Sequence, residues 1–266
     1  MNGLSESQIQ SMISLKPQIL FSSVDKTLKP KIEYLQLLGF QGYGRWIISN
    51  QQRVFNNAAF LKSCGIVGSQ LSFLLTHNAS LFVIRESQLR SYVSWAVNLG
   101  FSINSGMLVH GLRTTTSMSI GKFENKLEVI QSCGFSKDET MQMFRRSPGL
   151  LSRSEERLKF KIQVCLVKIM LPKSLLVNSP VILMLSMEKR VIPRWRVRKL
   201  LVSKNLLNEN PSSLQVLLLQ EKKFLKKYIS KFRDNEEALL EAYKGPPFGR
   251  CFYIIVIIKS STISVS

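Results

Sequence analysis

Apolar and polar positions in Ser136–Leu171 alternate in a pattern that predicts one complete helical unit. Ser136 followed three residues later by Glu139 is a capping box, in which each side chain satisfies a backbone N–H left open at a helix start. Thr140, Met141, Met143 and Phe144 then give a short helix one buried face. Pro148 ends it, because proline lacks an N–H and disfavours helical geometry in the residue before it. Gly149-Leu150-Leu151 turns the chain, and Ser152 with Glu155 predicts a second capping box. A longer helix comes next. Leu158, Ile162, Leu166 and Ile169 mark its buried stripe, and Arg153, Arg157, Lys159, Lys161 and Lys168 lie off it.

The same unit recurs along the chain. Apolar-Gly-apolar corners stand at Gly3, Gly39, Gly65, Gly100 and Gly134, with steps of 36, 26, 35 and 34 residues. Continuing the series reaches Met170 and Asn205. Asparagine is the usual substitute for glycine at a left-handed helix end. Methionine is not, so the Met170 corner is expected to close differently. Pro17, Pro148 and Pro180 mark the middle of three units. Asn78-Ala79-Ser80-Leu81 and Arg113-Thr114-Thr115 occupy that place in two others without proline. The second unit is short, with the gap between about Ile48 and Phe60. A period in this range predicts stacked helix pairs, since no single pair buries its apolar face alone. The fold class is therefore all-α: a superhelical solenoid of about six two-helix repeats over residues 1–245, with residues 246–266 as an atypical tail.

Composition narrows the function. Hydrophobic residues make up 45% of the 266 and suffice for a core, while 37 Lys and Arg against 17 Asp and Glu give a net charge of +20. Such a surplus repels itself unless a polyanion neutralises part of it. Between Lys189 and Arg233 thirteen basic residues face only Glu209 and Glu221. The candidate nucleic-acid contacts are Arg145 and Arg146 at the end of the short helix, Arg153, Arg157 and Lys159 off the apolar stripe of the longer helix, and Arg190, Arg194, Arg196, Arg198, Lys199, Lys222, Lys223, Lys226 and Lys227 in the late cluster. Arg194, Arg198 and Lys199 are expected to share one helical face, with Trp195 and Leu200-Leu201 turned to the core. In a solenoid, cations of equal phase line up, and such a row can follow a phosphate backbone.

Chemistry is not expected. Cys64, Cys133, Cys165 and Cys251 form no CxxC pair and have no histidine at ligand spacing. Cys64 and Cys133 both precede a corner glycine, which marks them as packing residues. Gly42-Tyr43-Gly44 lacks the third glycine of a dinucleotide fingerprint, and Gly121-Lys122 lacks the first glycine and the hydroxyl of a phosphate loop. His77 is expected to cap or pack, and His110 has no acidic or thiol neighbour in register. The reading is of a non-enzyme with no cofactor and no metal. The longest apolar run, Cys251–Ile258, is too short to cross a membrane.

The period, the SKDE cap, the SPGLL turn, MEKRVIPRWRV and LLQEKKFLKKYISKF…LLEAYKG together resemble the mitochondrial transcription termination factor (mTERF) family over about Gly3–Gly245. The resemblance implies two-helix modules stacked into a superhelix with a basic groove. It further implies a monomer that binds double-stranded DNA or structured RNA in mitochondria or plastids, with organellar transcription or splicing machinery as partners and no membrane. Regulation of transcription, including termination, or RNA processing such as group II intron splicing, would be its role. A helical scaffold for an acidic protein remains the alternative. The first corner at Gly3 suggests that the chain starts inside a repeat, downstream of a targeting peptide. Pro246-Pro247 and Cys251–Ile258 read as an unrelated extension of β character.

Overall fold

The structure, a computed structural model, describes residues 51–207 and 212–245, with isolated positions before residue 51. The first repeat, Gly3–Gly39, the Gly42-Tyr43-Gly44 stretch, Cys251 and the 246–266 extension lie outside the described residues. Among those described, every regular element is a helix, and helix pairs repeat as the sequence predicts. The chain divides into two compact units, residues 1–119 and residues 120–266.

In the first unit, α1 (Gln51–Ser63), α2 (Gly68–His77), α3 (Glu86–Asn98) and α4 (Leu108–Thr116) surround a core of Val54, Leu61, Leu74, Leu89 and Leu112. The short second repeat is helical across its described part, since α1 runs unbroken through residues 51–60. A 3-10 turn, Ala79–Phe82, separates α2 from α3. In the second unit, α5 (Ile120–Ser132) precedes α6 (Lys137–Arg146), a 3-10 turn (Pro148–Ser152) and α7 (Glu155–Gln163), which widens into a π turn (Val164–Lys168). Next come α8 (Lys173–Asn178), a 3-10 turn (Pro180–Met184), and a π turn (Met187–Val191) leading into α9 (Ile192–Ser203). The unit closes with α10 (Ser213–Leu218), α11 (Glu221–Leu225) with its π turn (Lys226–Ser230), and α12 (Glu236–Lys244). Val197, Leu201, Val216, Phe224, Tyr228, Ile229 and Leu239 form its terminal core.

Local sequence explains the repeating geometry. Ser136 and Glu139 form the expected capping box, with Glu139 N–H to Ser136 Oγ at 3.1 Å and Ser136 N–H to Glu139 Oε2 at 2.8 Å. The second cap is shifted: Ser154, not Ser152, accepts from Arg157 N–H at the start of α7, because Ser152 is the last residue of the 3-10 turn. The buried stripe of α7 is also shifted. Leu158, Ile162 and Ile169 are buried, but Cys165 continues the stripe in place of the half-buried Leu166. Burial pushes the Cys165 thiol up to about 12, so it behaves as a small apolar group. Proline is not essential to the mid-unit turn. Asn78 adopts φ −153°, ψ 52°, close to Ser147 (−148°, 74°) and Ser179 (−139°, 61°), which both precede proline. In the other repeat lacking proline, α4 continues as helix through Arg113-Thr114-Thr115.

All five described corners use a left-handed residue: Gly65 (φ 78°), Gly100 (94°), Gly134 (92°), Met170 (57°) and Asn205 (52°). After four of them, Ile66, Phe101, Phe135 and Leu171 turn into the core. The Met170 corner therefore does not avoid the left-handed conformation. It differs only in ring size. Leu171 N–H reaches back to Cys165 O, six residues away, whereas Ile66, Phe101 and Leu206 each reach back five. The π turn before Met170 supplies the additional residue. A left-handed non-glycine residue costs about 1–2 kcal/mol, and the Met170 side chain, 80% exposed, recovers little by packing. Met170→Gly is expected to raise stability by about 1 kcal/mol, measured by chemical denaturation, with an unchanged or lowered value counting against this account.

The repeats are also fastened by side chains in equal phase. Asn57 on α1 donates to Leu81 O (3.1 Å) and Ile84 O (2.9 Å) around the next 3-10 turn. On α5, Lys126 donates to Leu151 O (2.5 Å) and Arg153 O (2.7 Å). Lys161, 35 residues later on α7, donates to Leu183 O (2.9 Å) and Leu185 O (2.6 Å). Arg194, 33 residues beyond Lys161, does the same at the end of α10. Carbonyls at the end of a short helix or turn have no helical partner, and an amide, ammonium or guanidinium of the preceding repeat satisfies them. At the intervening position, Ser91 bonds instead to Ser87 O on its own helix (3.0 Å).

Candidate nucleic-acid interface

The structure separates cations that hold the fold from cations that face solvent. Arg194 belongs to the first group, contrary to its expected place on an exposed face. It is 0% exposed. Its Nη1 donates to Val216 O (3.3 Å), Leu217 O (3.0 Å) and Leu219 O, and its Nη2 pairs with Glu221 Oε2 at 2.7 Å. The guanidinium also lies 4.6 Å from the Phe224 ring centre, a cation–π contact. The reason is local. α9 packs on α10, whose last carbonyls have no helical donor, so the side chain that reaches them is buried with them.

Arg190, half-buried, reaches the same carbonyls: Nε to Leu217 O (3.1 Å) and Nη2 to Leu218 O and Leu219 O (2.8 Å each). Burial and the neighbouring Arg194 charge lower its pKa, while Glu221 and Tyr243 oppose that shift. Arg146 fastens α6 to α8 through Val177 O (3.0 Å) and Asn178 Oδ1 (2.5 Å). Trp195 does not turn fully inward. It is half-buried, with the exposed Lys199 ammonium 5.5 Å from its ring centre. Arg145, Arg196 and Arg198 are half-buried, each within its own set of contacts.

The second group is drawn together by the last helices. Lys223, Lys226 and Lys227, with Lys231, Ser230 and Leu219, line one groove of about 630 Å³. The π turn Lys226–Ser230 widens the helix at this point, and such single wide turns recur at functional sites. Phe224, Tyr228 and Ile229 anchor the same helix in the core, so apolar residues alternate with the lysines that face out. Lys222 is exposed on α11 but does not line the groove. A smaller group consists of exposed Arg153 and Arg157 at the start of α7, with half-buried Lys159 on the same helix. Burial, and then the charges of Arg153 and Arg157, lower the pKa of Lys161, which places those two arginines close to it.

Ser230 and Leu219 are not among the contact residues expected from the sequence, and Lys231 is expected there only as a member of the Lys189–Arg233 cluster. The spacing of Lys223, Lys227 and Lys231, four and four on one helical face, is the signal that points to Lys231. Among the described residues, no group of three His, Cys, Asp or Glu side chains could hold a metal ion, and no helix is long and apolar enough to cross a membrane.

This architecture is that of a helical-repeat protein with a lysine-lined groove near its C-terminal end. Residues 114–225 match the mTERF family profile. Over this span of 112 of the 266 residues the chain is similar to the mTERF family of helical-repeat proteins. The matched span runs from the end of α4 to the end of α11 and is narrower than the Gly3–Gly245 resemblance. No curated protein matches the chain.

Proposed function

We propose that this protein binds double-stranded DNA without base chemistry of its own, and so regulates transcription in a mitochondrion or plastid, termination included, or RNA processing there. The lysine groove of α11 and its π turn carries the reading: four exposed lysine side chains border one groove, and none of the described residues lining it is acidic. Lys222 and the Arg153, Arg157 and Lys159 group extend the basic surface, and Arg145, Arg196, Arg198 and Lys199 are further candidate contacts. Arg146, Arg190 and Arg194 act through the fold. Phosphate contacts of this kind fix position and orientation and carry no sequence information, so the target site rests on other contacts. A bound protein would obstruct or guide a polymerase or a splicing complex by occupancy.

The test is a duplex titration at about 50 mM and about 200 mM salt. Each neutralised phosphate adds about 0.9 to the log–log slope, so four contacts predict a roughly 100-fold loss of affinity between the two conditions. Absent or salt-insensitive binding would overturn the proposal and favour a scaffold for an acidic protein. Tighter binding to structured RNA than to duplex DNA would move the function to RNA processing.

A further inference from the structure

The chain has only two histidines, and the first unit brings both onto one aromatic ring. His77 ends α2 and His110 lies on α4, 33 residues later, close to one repeat. Phe73 stacks on His77 with ring centres 4.3 Å apart, and meets His110 edge-on at 4.7 Å. Arg113, one helical turn after His110, places its guanidinium 5.6 Å from the centre of the same ring. His77, His110 and Arg113 are exposed, while Phe73 is half-buried. His77 Nδ1 lies 3.0 Å from Phe73 O, which fixes the ring and leaves Nε2 as its remaining polar atom. Three N–H donor groups, one permanently charged and two titratable, thus converge around an aromatic hub.

Among the described residues, no carboxylate belongs to this cluster. α2 and α4 carry no acidic residue. Of the elements packed on them, α1 carries Arg53 and Lys62. α3 carries Glu86 and Arg90, which pair with each other at 2.6 Å, and Arg85 precedes it. Partial burial, followed by the charges of Arg113 and His77, holds the His110 imidazole below the usual histidine value. A cluster whose members repel one another's charge, with no anion of its own, is set up to receive one from outside.

We infer that Phe73, His77, His110 and Arg113 form a phosphate-binding site whose strength is governed by pH. The shared ligand chemistry is a phosphate oxyanion, either from a nucleic-acid backbone or free in solution. The backbone source rests on the nucleic-acid reading, and the free source does not. The sign is fixed by linkage. Bound phosphate stabilises the imidazolium, so binding takes up a proton. Affinity rises as pH falls through the bound-state pKa of His110 and levels off below its free-state pKa.

The experiment is a histidine-ring NMR titration of the full chain, where two side chains give two sets of signals. It is run without ligand, with inorganic phosphate, and with a duplex. The expected result is an upward shift of the His110 midpoint by about half a pH unit or more in the duplex arm, with His77 signals moving alongside. Duplex binding should tighten between about pH 8 and about pH 6, the range that spans an ordinary histidine pKa. In the His77→Gln/His110→Gln protein that pH dependence should vanish while the salt slope at about pH 8 stays. A shift with phosphate but not with duplex keeps the site and assigns it to a free anion. Histidine signals unmoved by either ligand would overturn the inference, even where the duplex still binds with its full salt dependence. The wild-type titration reads the site directly, so the conclusion does not depend on the variant folding.

Discussion

Arg194→Ala is expected to destabilise the second unit by about 3–5 kcal/mol, as removing one partner of a buried charged network generally does. The side chain is 0% exposed and among the largest fully buried ones. Its loss would strip Val216 O, Leu217 O and Leu219 O of a common donor, leave Glu221 with Tyr243 but without its ion-pair partner and Phe224 without its cation, and open a void between α9 and α11. Arg194→Met keeps the stem and should recover part of the packing but not the bonds. Urea unfolding monitored by helical signal measures both. A loss below about 1 kcal/mol in Arg194→Ala would refute the structural role. The folded fraction should bind duplex as the parent does, which separates this role from phosphate contact.

The same network sets an acid limit. Partial burial opposes ionisation of Glu221, but hydrogen bonds from Tyr243 and Arg194 outweigh it and hold the carboxyl below its ordinary value. Burial and the bond to Glu221 push the Tyr243 phenol up to about 12. A lowered carboxyl pKa contributes stability above its unfolded value and loses it as pH falls through the folded one, so acid weakens this corner.

The second large effect concerns binding. Changing Lys223, Lys226, Lys227 and Lys231 together to glutamine is expected to lower the slope of log affinity against log salt by about 3–4. These side chains line one groove and are exposed, so substitution should leave unfolding within about 0.5 kcal/mol of the parent. The loss should be nearly uniform across duplex sequences, since phosphate contacts carry no base information. A quadruple variant with an unchanged salt slope would place the interface elsewhere, with Arg153 and Arg157 as the next group to change.

Much of the fold was legible because the repeat constrains residue type. A left-handed corner selects glycine or asparagine, so Gly65, Gly100, Gly134 and Asn205 could be read from spacing alone. Met170 could be placed by phase, but its conformation could not, because nothing in composition shows that a neighbouring turn has widened. The candidate site was less legible. An arginine off the apolar stripe looks the same whether water or a neighbouring repeat's carbonyls surround it. Arg194 and Arg190 are separated from their acceptors by 22 to 29 residues, and only the stacking of α9 on α10 decides their fate. The phase of Lys126, Lys161 and Arg194 does hint at a shared task, as does the one-repeat spacing of the two histidines.

The carbonyl-binding side chains have a direction. In each of these pairs the donor comes earlier in the chain than the acceptor: Asn57 before Leu81, Lys126 before Leu151, Arg146 before Val177, Lys161 before Leu183, Arg194 before Leu217. During synthesis each new turn therefore emerges from the ribosome when its clasp has already been made, and the array can close behind the growing end before later repeats exist.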